Sequence, residues 1–549
     1  MKPGERRLVF GILLFSFLSF TTAWLWYAGM HRQVVPAAGG TYTEGIVGSP
    51  RLINPLYASA NEADAGLANL IYSGLFRWDP KDGLIPDLAE SLSVSEDGKT
   101  FTIMLRPSAV WHHGNPVRAH DVVFTVHCLQ NPAYHSPLAS RFKDVVVTEQ
   151  DERTVQFVLP ESAPSFPSLL TIGLLPSDLW ESISPQNISL ASLELEPVGS
   201  GPYRFERMQL DKSGNVKTYT LVRNDTFYGP SPLVDRLTFK FYTDIFQAVL
   251  ALENRQIGGV GGISPSLLAT LTKRRGLQIF QPVFPAVTAL FFNQETQPLL
   301  KDLRVRKAIA LALDREKISE RGGGRAAAGL FPNDFPEFPP SVPVPTRDVT
   351  AANQLLDETD YKKTENGSPR KKTNGSSSVE LALTLSVIDQ PEYIQSAQEI
   401  VAQLGEIGVH LTLKIIPAGS FYAETVKPRS YELLLASVRF GPDLDPSPFW
   451  HSSKIADPGL NLALYGNRKT DTLLEENRKN VDPTKRLEAL VAFQQAVQED
   501  VPAVILSQLR YTYVLSDAVH ISPPGRLLSP SDRFGAISSW YVKTKTIFN

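Results

Sequence analysis

Residues 88–125 constrain the fold of this 549-residue chain more than any other stretch. Leu92 and Val94 lead into Glu96-Asp97-Gly98-Lys99, after which Phe101, Ile103 and Leu105 alternate with Thr100, Thr102 and Met104. Asp-Gly between alternating runs signals a hairpin, because a tight primed turn needs positive φ at its central residues. A Trp-His-His-Gly-Asn-Pro loop follows. An apolar run then opens on Asp121, an acid suited to the first turn of a helix.

A chain of this length exceeds one ordinary core, so two or three lobes are expected. Apolar residues make up 42% and charged residues 20%, the balance of a folded globular protein. The net charge of −3 gives a polyanion nothing to bind, which argues against a nucleic-acid partner. A single cysteine, Cys128, rules out an intramolecular disulfide and leaves an oxidising compartment open.

The N-terminus reads as a membrane anchor. Residues 1–7 carry Lys2, Arg6 and Arg7, and residues 8–28 contain no charge. As a helix that run spans about 31 Å at 1.5 Å per residue, which matches a bilayer core. Trp24, Trp26 and Tyr27 stand at its far end like an interfacial belt, and the basic flank places the first residues in the cytoplasm. The competing reading is a cleaved signal peptide, with cleavage after Ala37 or Ala38. Residues 29–40 are expected to be a short linker.

Several segments match one family in register. Leu88-Ala89-Glu90-Ser91, Val94-Ser95, Asp97-Gly98, Leu105-Arg106, Trp111-His112, Gly114, Pro116 and Asp121-Val122-Val123-Phe124 resemble extracellular solute-binding proteins of the oligopeptide, dipeptide and nickel type. His113 and His120 depart from that pattern. Leu52-Ile53-Asn54-Pro55, Ile71-Tyr72-Ser73-Gly74-Leu75, Pro197-Val198-Gly199-Ser200-Gly201-Pro202-Tyr203-Arg204-Phe205 and Asp302-Leu303-Arg304-Val305-Arg306-Lys307-Ala308-Ile309 resemble further landmarks of the same family. Together they run from about residue 42 to 505.

The resemblance implies an α/β, two-lobed periplasmic-binding-protein fold of type II with an extra small N-terminal subdomain, here preceded by one transmembrane helix. Lobe 1 is expected at 41–290 and 503–549, with a peripheral subdomain at about 57–196. Lobe 2 is expected at 291–502, with a hinge near residues 290 and 502. Between these landmarks, the strand–helix–strand run ending at 416 has the short exit of a parallel crossover at Gly408. The proline-rich 331–346 can form neither helix nor central strand. Residues 362–378, basic and without a large apolar side chain, read as a disordered surface insertion.

Ligand-facing positions follow from the resemblance alone: Ser59 and Asn61 on the first loop, Asn293 at the hinge, and Arg439, Phe440 and Asp443 opposite. Aligning the family's Asp-Pro pair on Asp445-Pro446 puts Pro442 where peptide binders hold the acid that pairs with the α-ammonium. Arg439 falls where they hold a Trp, and Asp443 is one step out of register. A guanidinium there suggests a ligand carboxylate or phosphate.

Enzyme chemistry finds no support. There is no HExxH, P-loop or Gly-x-Ser-x-Gly elbow, and the glycines around 258 and 322–324 lack a dinucleotide spacing. His112, His113, His120 and His127 have no spacing diagnostic of zinc, and no metal or cofactor is expected. Cys128 reads as inert core. The expectation is a monomeric, membrane-tethered receptor outside the cytoplasm. It would capture peptides or peptide-like molecules and deliver them to ABC permease subunits by lobe closure. A non-transport sensor or scaffold on the same fold is the alternative, and an anchored extracellular hydrolase a more distant one.

Overall fold

The computed structural model describes residues 3–548 apart from 31, 272–273, 333, 364–367 and 375–376. Two mixed sheets divide it. The first, seven-stranded, runs in the order Leu277–Phe280, Tyr513–Ser516, Gly259–Gly261, Thr41–Val47, Arg236–Tyr242, Val216–Arg223, Tyr203–Leu210. The second, six-stranded, runs Arg325–Ala326, Ala503–Arg510, Val283–Phe292, Leu433–Arg439, Ala382–Ile388, His410–Ile416. The two-lobed α/β architecture read from the sequence is the one that forms.

Local chemistry accounts for the elements. Every residue of Val283–Phe292 is buried, as a central strand covered on both faces requires. Ala382–Ile388 and His410–Ile416 pair in parallel across the helix Pro391–Glu406, which is the crossover expected around Gly408. Gly408 sits at φ +78°, and a Cβ there would stand 2.9 Å from Arg370 Cγ. Asp482 caps Pro483–Asp500 by accepting from the Thr484 amide at 2.9 Å.

The lobes are joined elsewhere than expected. Val283–Phe292 and Ala503–Arg510 pair antiparallel within the second sheet, and both neighbouring strands of the first sheet lie beyond residues 280 and 513. The chain therefore crosses between lobes at 281–282 and 511–512 rather than near 290 and 502. The resemblance placed the hinge near these strands, but only pairing partners show which sheet owns them.

The hairpin of the opening stretch forms, with Ala89–Val94 antiparallel to Thr100–Leu105, inside a four-stranded sheet completed by Thr154–Val158 and Val146–Glu149. Gly98 alone takes positive φ (+67°), so the connection is a longer turn closed by one left-handed residue rather than a primed two-residue turn. Asp121 is buried at the third position of helix Ala119–Gln130. Its carboxylate accepts from Trp111 Nε1 at 3.2 Å and from the Ser177 amide and hydroxyl at 2.9 and 2.7 Å. His112 is neutral and structural. Its Nδ1 accepts from the Gly199 amide and its Nε2 faces the Gly201 carbonyl, each at 3.1 Å, while burial pulls its pKa down to about 4.

Two terminal and surface expectations change. Residues 29–40 are not a plain linker: Arg32–Ala37 pairs antiparallel with Lys543–Phe548. Residues 364–367 and 375–376 of the basic segment lie outside the described residues. Around them, Lys371–Asn374 pairs with Ser377–Glu380 in a hairpin, so the segment is not a disordered insertion throughout. Arg370 within it is fully buried. Its guanidinium donates to Ile407 O at 2.9 Å, Asp357 Oδ1 at 2.6 Å and Asn353 Oδ1 at 2.8 Å. A guanidinium inside a charge run looks solvated in sequence, yet five donors in a fixed fork can satisfy a folded neighbourhood instead. Arg370→Leu is expected to lower stability by about 3 kcal/mol in denaturant unfolding, because buried carbonyls lose their donors. Lys372→Ala, two residues away, removes an exposed pair and is expected to leave the unfolding midpoint nearly unchanged.

Candidate functional site

Between the lobes lies a cleft of about 1200 Å³. The first lobe contributes residues 58–62, the helix that follows, and residues 227–230; the peripheral region contributes 138–142 and 169–173. The second lobe contributes 439–442, at the end of Leu433–Arg439 where the chain leaves the sheet. Further lining comes from 72–79, 86–87, Arg106 and 528–539.

Of the expected ligand-facing residues, the cleft brings together four. Ser59 is exposed on its wall. Asn61 lines it too, but its side chain is committed: Oδ1 accepts from the Ala63 amide at 3.0 Å and Nδ2 donates to Ser49 O at 2.9 Å. Phe440 is buried in an aromatic plug, its ring centroid 5.0 Å from Phe338 and 5.3 Å from Phe449. Arg439 stacks over the Phe284 ring at 4.5 Å. Its guanidinium has no hydrogen-bond or ion-pair partner among the described residues. Burial pulls its pKa down, opposed by Tyr393, Glu62 and Asp532.

Two expected residues stand apart. Asn293 is fully buried and caps the following turn, accepting from the Glu295 and Thr296 amides at 3.0 and 3.1 Å while donating to Arg429 O at 3.0 Å. The residue paired with Arg439 is Ala286. Seven residues of strand separate it from Asn293, roughly 23 Å at 3.3 Å per residue. Asp443 lies beyond the lining on the same loop as Arg439. Desolvation and the neighbouring Asp445 raise its pKa, and Arg141 opposes the rise.

The cleft also holds charges that sequence reasoning did not single out. Arg141 lines it from the peripheral region, exposed and without a side-chain partner among the described residues. Asp87 gives one oxygen to the Tyr228 hydroxyl at 2.6 Å, and burial pushes its pKa up to about 6 against the pull of Arg77 and Arg106. Arg106 Nε is spent on Asp87 O at 2.6 Å and Arg77 Nη1 on Gly535 O at 3.0 Å. Asp532 is likewise pushed up to about 6 by burial while accepting from the Leu528 and Ser529 amides. The Ser529-Pro530-Ser531-Asp532 run is a capping box, and that pattern was the available signal for this wall.

Behind the first loop, Glu194 Oε1 accepts from Asn54 Nδ2 at 3.0 Å and its other oxygen is buried without a partner. Burial, with a contribution from Asp64, raises its pKa from 4.5 to about 7. An acid with a raised folded pKa stabilises nothing by ionising. The native state loses stability as pH climbs from about 4.5 to 7, and the loss is complete above that. Glu194→Gln keeps the acceptor for Asn54 and removes the charge. It is expected to raise stability at pH 8 by up to roughly 3 kcal/mol and to leave it nearly unchanged at pH 4, read as melting temperature against pH.

Two α/β lobes joined by two crossings, with a polar and apolar cleft between them, define a solute-binding protein. The model of the bacterial extracellular solute-binding proteins, family 5, matches residues 83–457, and the chain belongs to this family. It is 26% identical to the oligopeptide-binding protein AppA of Bacillus subtilis over 90% of this chain and 89% of that one. The ABC transporter substrate-binding protein CtaP of Listeria monocytogenes superposes with a TM-score of 0.78 at 27% identity, covering 92% of this chain and 100% of that one. NikZ of Campylobacter jejuni, solved with Ni(L-His), gives 0.73 at 26% identity, covering 91% and 99%. The chain is thus an ABC substrate-binding protein of the peptide/nickel type, whose work is binding rather than turnover.

Proposed function

We propose that this protein captures peptides or peptide-like small molecules bearing a carboxylate outside the cytoplasm and delivers them to an ABC permease by lobe closure. The observation that carries this reading is Arg439. A guanidinium stacked on Phe284 and open to the cleft without a partner is prepared for a carboxylate, since its planar fork donates to both oxygens at once. Ser59 offers a free hydroxyl on the facing wall, and Arg141 a second unpaired cation. AppA is named for oligopeptides, and a cleft of about 1200 Å³ suits a ligand of several residues. The nickel-complex reading finds no group of metal-ligating side chains among the described residues to favour it.

Closure follows from the two crossings at 281–282 and 511–512, where a few residues can absorb a rotation. The lobes already touch at two places. Trp78 stacks on Phe335 at 6.3 Å, and Lys479 pairs with Glu161 at 3.1 Å. Ligand favours the closed state only by what both lobes gain from it, and Ser59 with Arg439 supplies one contact from each.

The test is native mass spectrometry of ligand released from the purified protein, followed by titration of that ligand. Arg439→Ala is expected to weaken binding tenfold to a hundredfold, and amidation of the ligand's carboxylate is expected to cost the same. Unchanged affinity in both would overturn the carboxylate assignment.

Tethering belongs to the same proposal. Among the described residues no helix is long and apolar enough to cross a membrane. The helix Pro3–Met30 nevertheless runs 28 residues and exposes Phe10, Phe15 and Phe20, each more than two-thirds uncovered. Apolar side chains so placed need a lipid or protein cover. Fractionation of cells making the full chain is expected to leave it in membranes after carbonate washing, and to release a variant lacking residues 1–30. Release of both would overturn the anchor.

A further inference from the structure

The charged side chains that line the cleft divide unevenly into engaged and available. Its four carboxylates all have partners of their own. Glu62 Oε1 accepts from Arg533 Nη1 and from the Tyr511 hydroxyl, both at 3.2 Å. Asp79 Oδ1 accepts from the Lys81 and Asp82 amides at 2.9 and 3.0 Å, and its Oδ2 stands 3.5 Å from Arg77 Nη1. Asp87 is held by Tyr228, and Asp532 by backbone amides. A ligand ammonium therefore meets no partnerless carboxylate among the described residues of the lining.

The cations differ. Arg77 and Arg106 bond to carbonyls of the first lobe and lie in the field of Asp87. That leaves Arg439 and Arg141, which come from opposite sides of the cleft. Arg141 sits in the short helix Ala139–Phe142 of the peripheral region. Phe142 is buried in the first-lobe core, and Gln130 Nε2 donates to Phe142 O at 2.9 Å and to Val145 O at 2.6 Å. The backbone that carries Arg141 is thus pinned, while its guanidinium stands exposed on the cleft wall. Asp443 of the second lobe feels its charge, but lies outside the lining and forms no ion pair with it.

We propose that the cleft selects acidic peptides, with one ligand carboxylate on Arg439, a second on Arg141, and no requirement for a free amine. The assignment rests on the carboxylate reading of Arg439 and adds a second reader on the opposite wall. A ligand held by both cations ties one lobe to the other, so its second acid favours the closed state rather than either lobe alone.

Calorimetric titration of the full chain with pentaalanine, its single-glutamate variants and their glutamine counterparts tests this. Each peptide is used with a free and with an acetylated N-terminus. Glutamate in at least one position is expected to bind about tenfold tighter than glutamine there, the worth of one charge-assisted hydrogen bond. Arg141→Gln is expected to remove that advantage, Asp443→Asn to keep it, and acetylation to leave affinity nearly unchanged. Glutamate no better than glutamine at every position overturns the proposal, as does an advantage that survives Arg141→Gln. An advantage lost equally in Asp443→Asn makes Arg141 a partner of Asp443 across the cleft and also overturns it. So does a tenfold loss on acetylation, which would reveal an amine reader. Failure of the Arg439 reading shows separately, as indifference to amidation of the C-terminal carboxylate, because the glutamate contrast is measured within either set. No binding by any of the peptides overturns both readings.

Discussion

An ion pair with almost no access to water holds the first lobe and the cleft wall in one piece. Arg533 Nε donates to Glu44 Oε1 at 3.0 Å, and the two side chains are 1% and 0% exposed. Tyr42 and Tyr513 both donate to the other carboxylate oxygen. Arg533 Nη1 reaches Glu62 Oε1 at 3.2 Å, and Tyr511 shares that oxygen. Desolvation raises the pKa of Glu44, while Arg533 and the two hydroxyls pull it back toward ionisation. A pair so placed is weak evidence of net stability against an apolar replacement, but losing one partner strands a buried charge and costs about 3–5 kcal/mol. Its structural consequence is position. It fixes the segment after Pro530 against the central strand Thr41–Val47, the hinge residue Tyr511, and the start of the helix that carries Glu62.

From that fixed point the cleft acquires two unlike sides. The first lobe supplies a wall whose charges are mostly engaged: Arg106 and Arg77 on carbonyls, Asp87 on Tyr228, Asp532 on backbone amides. The second lobe supplies Arg439, which is not. The crossings at 281–282 and 511–512 sit beside Phe284 and Tyr511, whose rings pack edge-on at 5.5 Å. Hinge, aromatic shelf and cation are thus neighbours.

The legible parts were those written locally. Asp97-Gly98 with its alternating flanks gave a hairpin, and the run around Gly408 a parallel crossover, because each depends on backbone preferences of adjacent residues. Asn293 shows where that logic ends. The resemblance placed it at the hinge facing the ligand, yet its amide closes a turn at the strand end remote from Arg439. Arg370 shows the same limit in a charge run. Its neighbours Lys371 and Lys372 are paired at the surface, while it fills the interior beneath Gly408.

Sequence alone determined the hairpin and the crossover around Gly408, since adjacent residues record backbone preferences. Its resemblance to the family implied the two-lobed α/β fold and pointed to Ser59, Asn61, Arg439 and Phe440, which line the cleft. Tertiary structure decided the crossing points of the hinge, the burial of Arg370 and Arg533, the commitment of Asn61 and Asn293 to caps, and the freedom of Arg439 and Arg141. Those depend on which partners arrive from hundreds of residues away. Whether a charged side chain is spent or available is a property of its assembled surroundings, not of its neighbours in the chain.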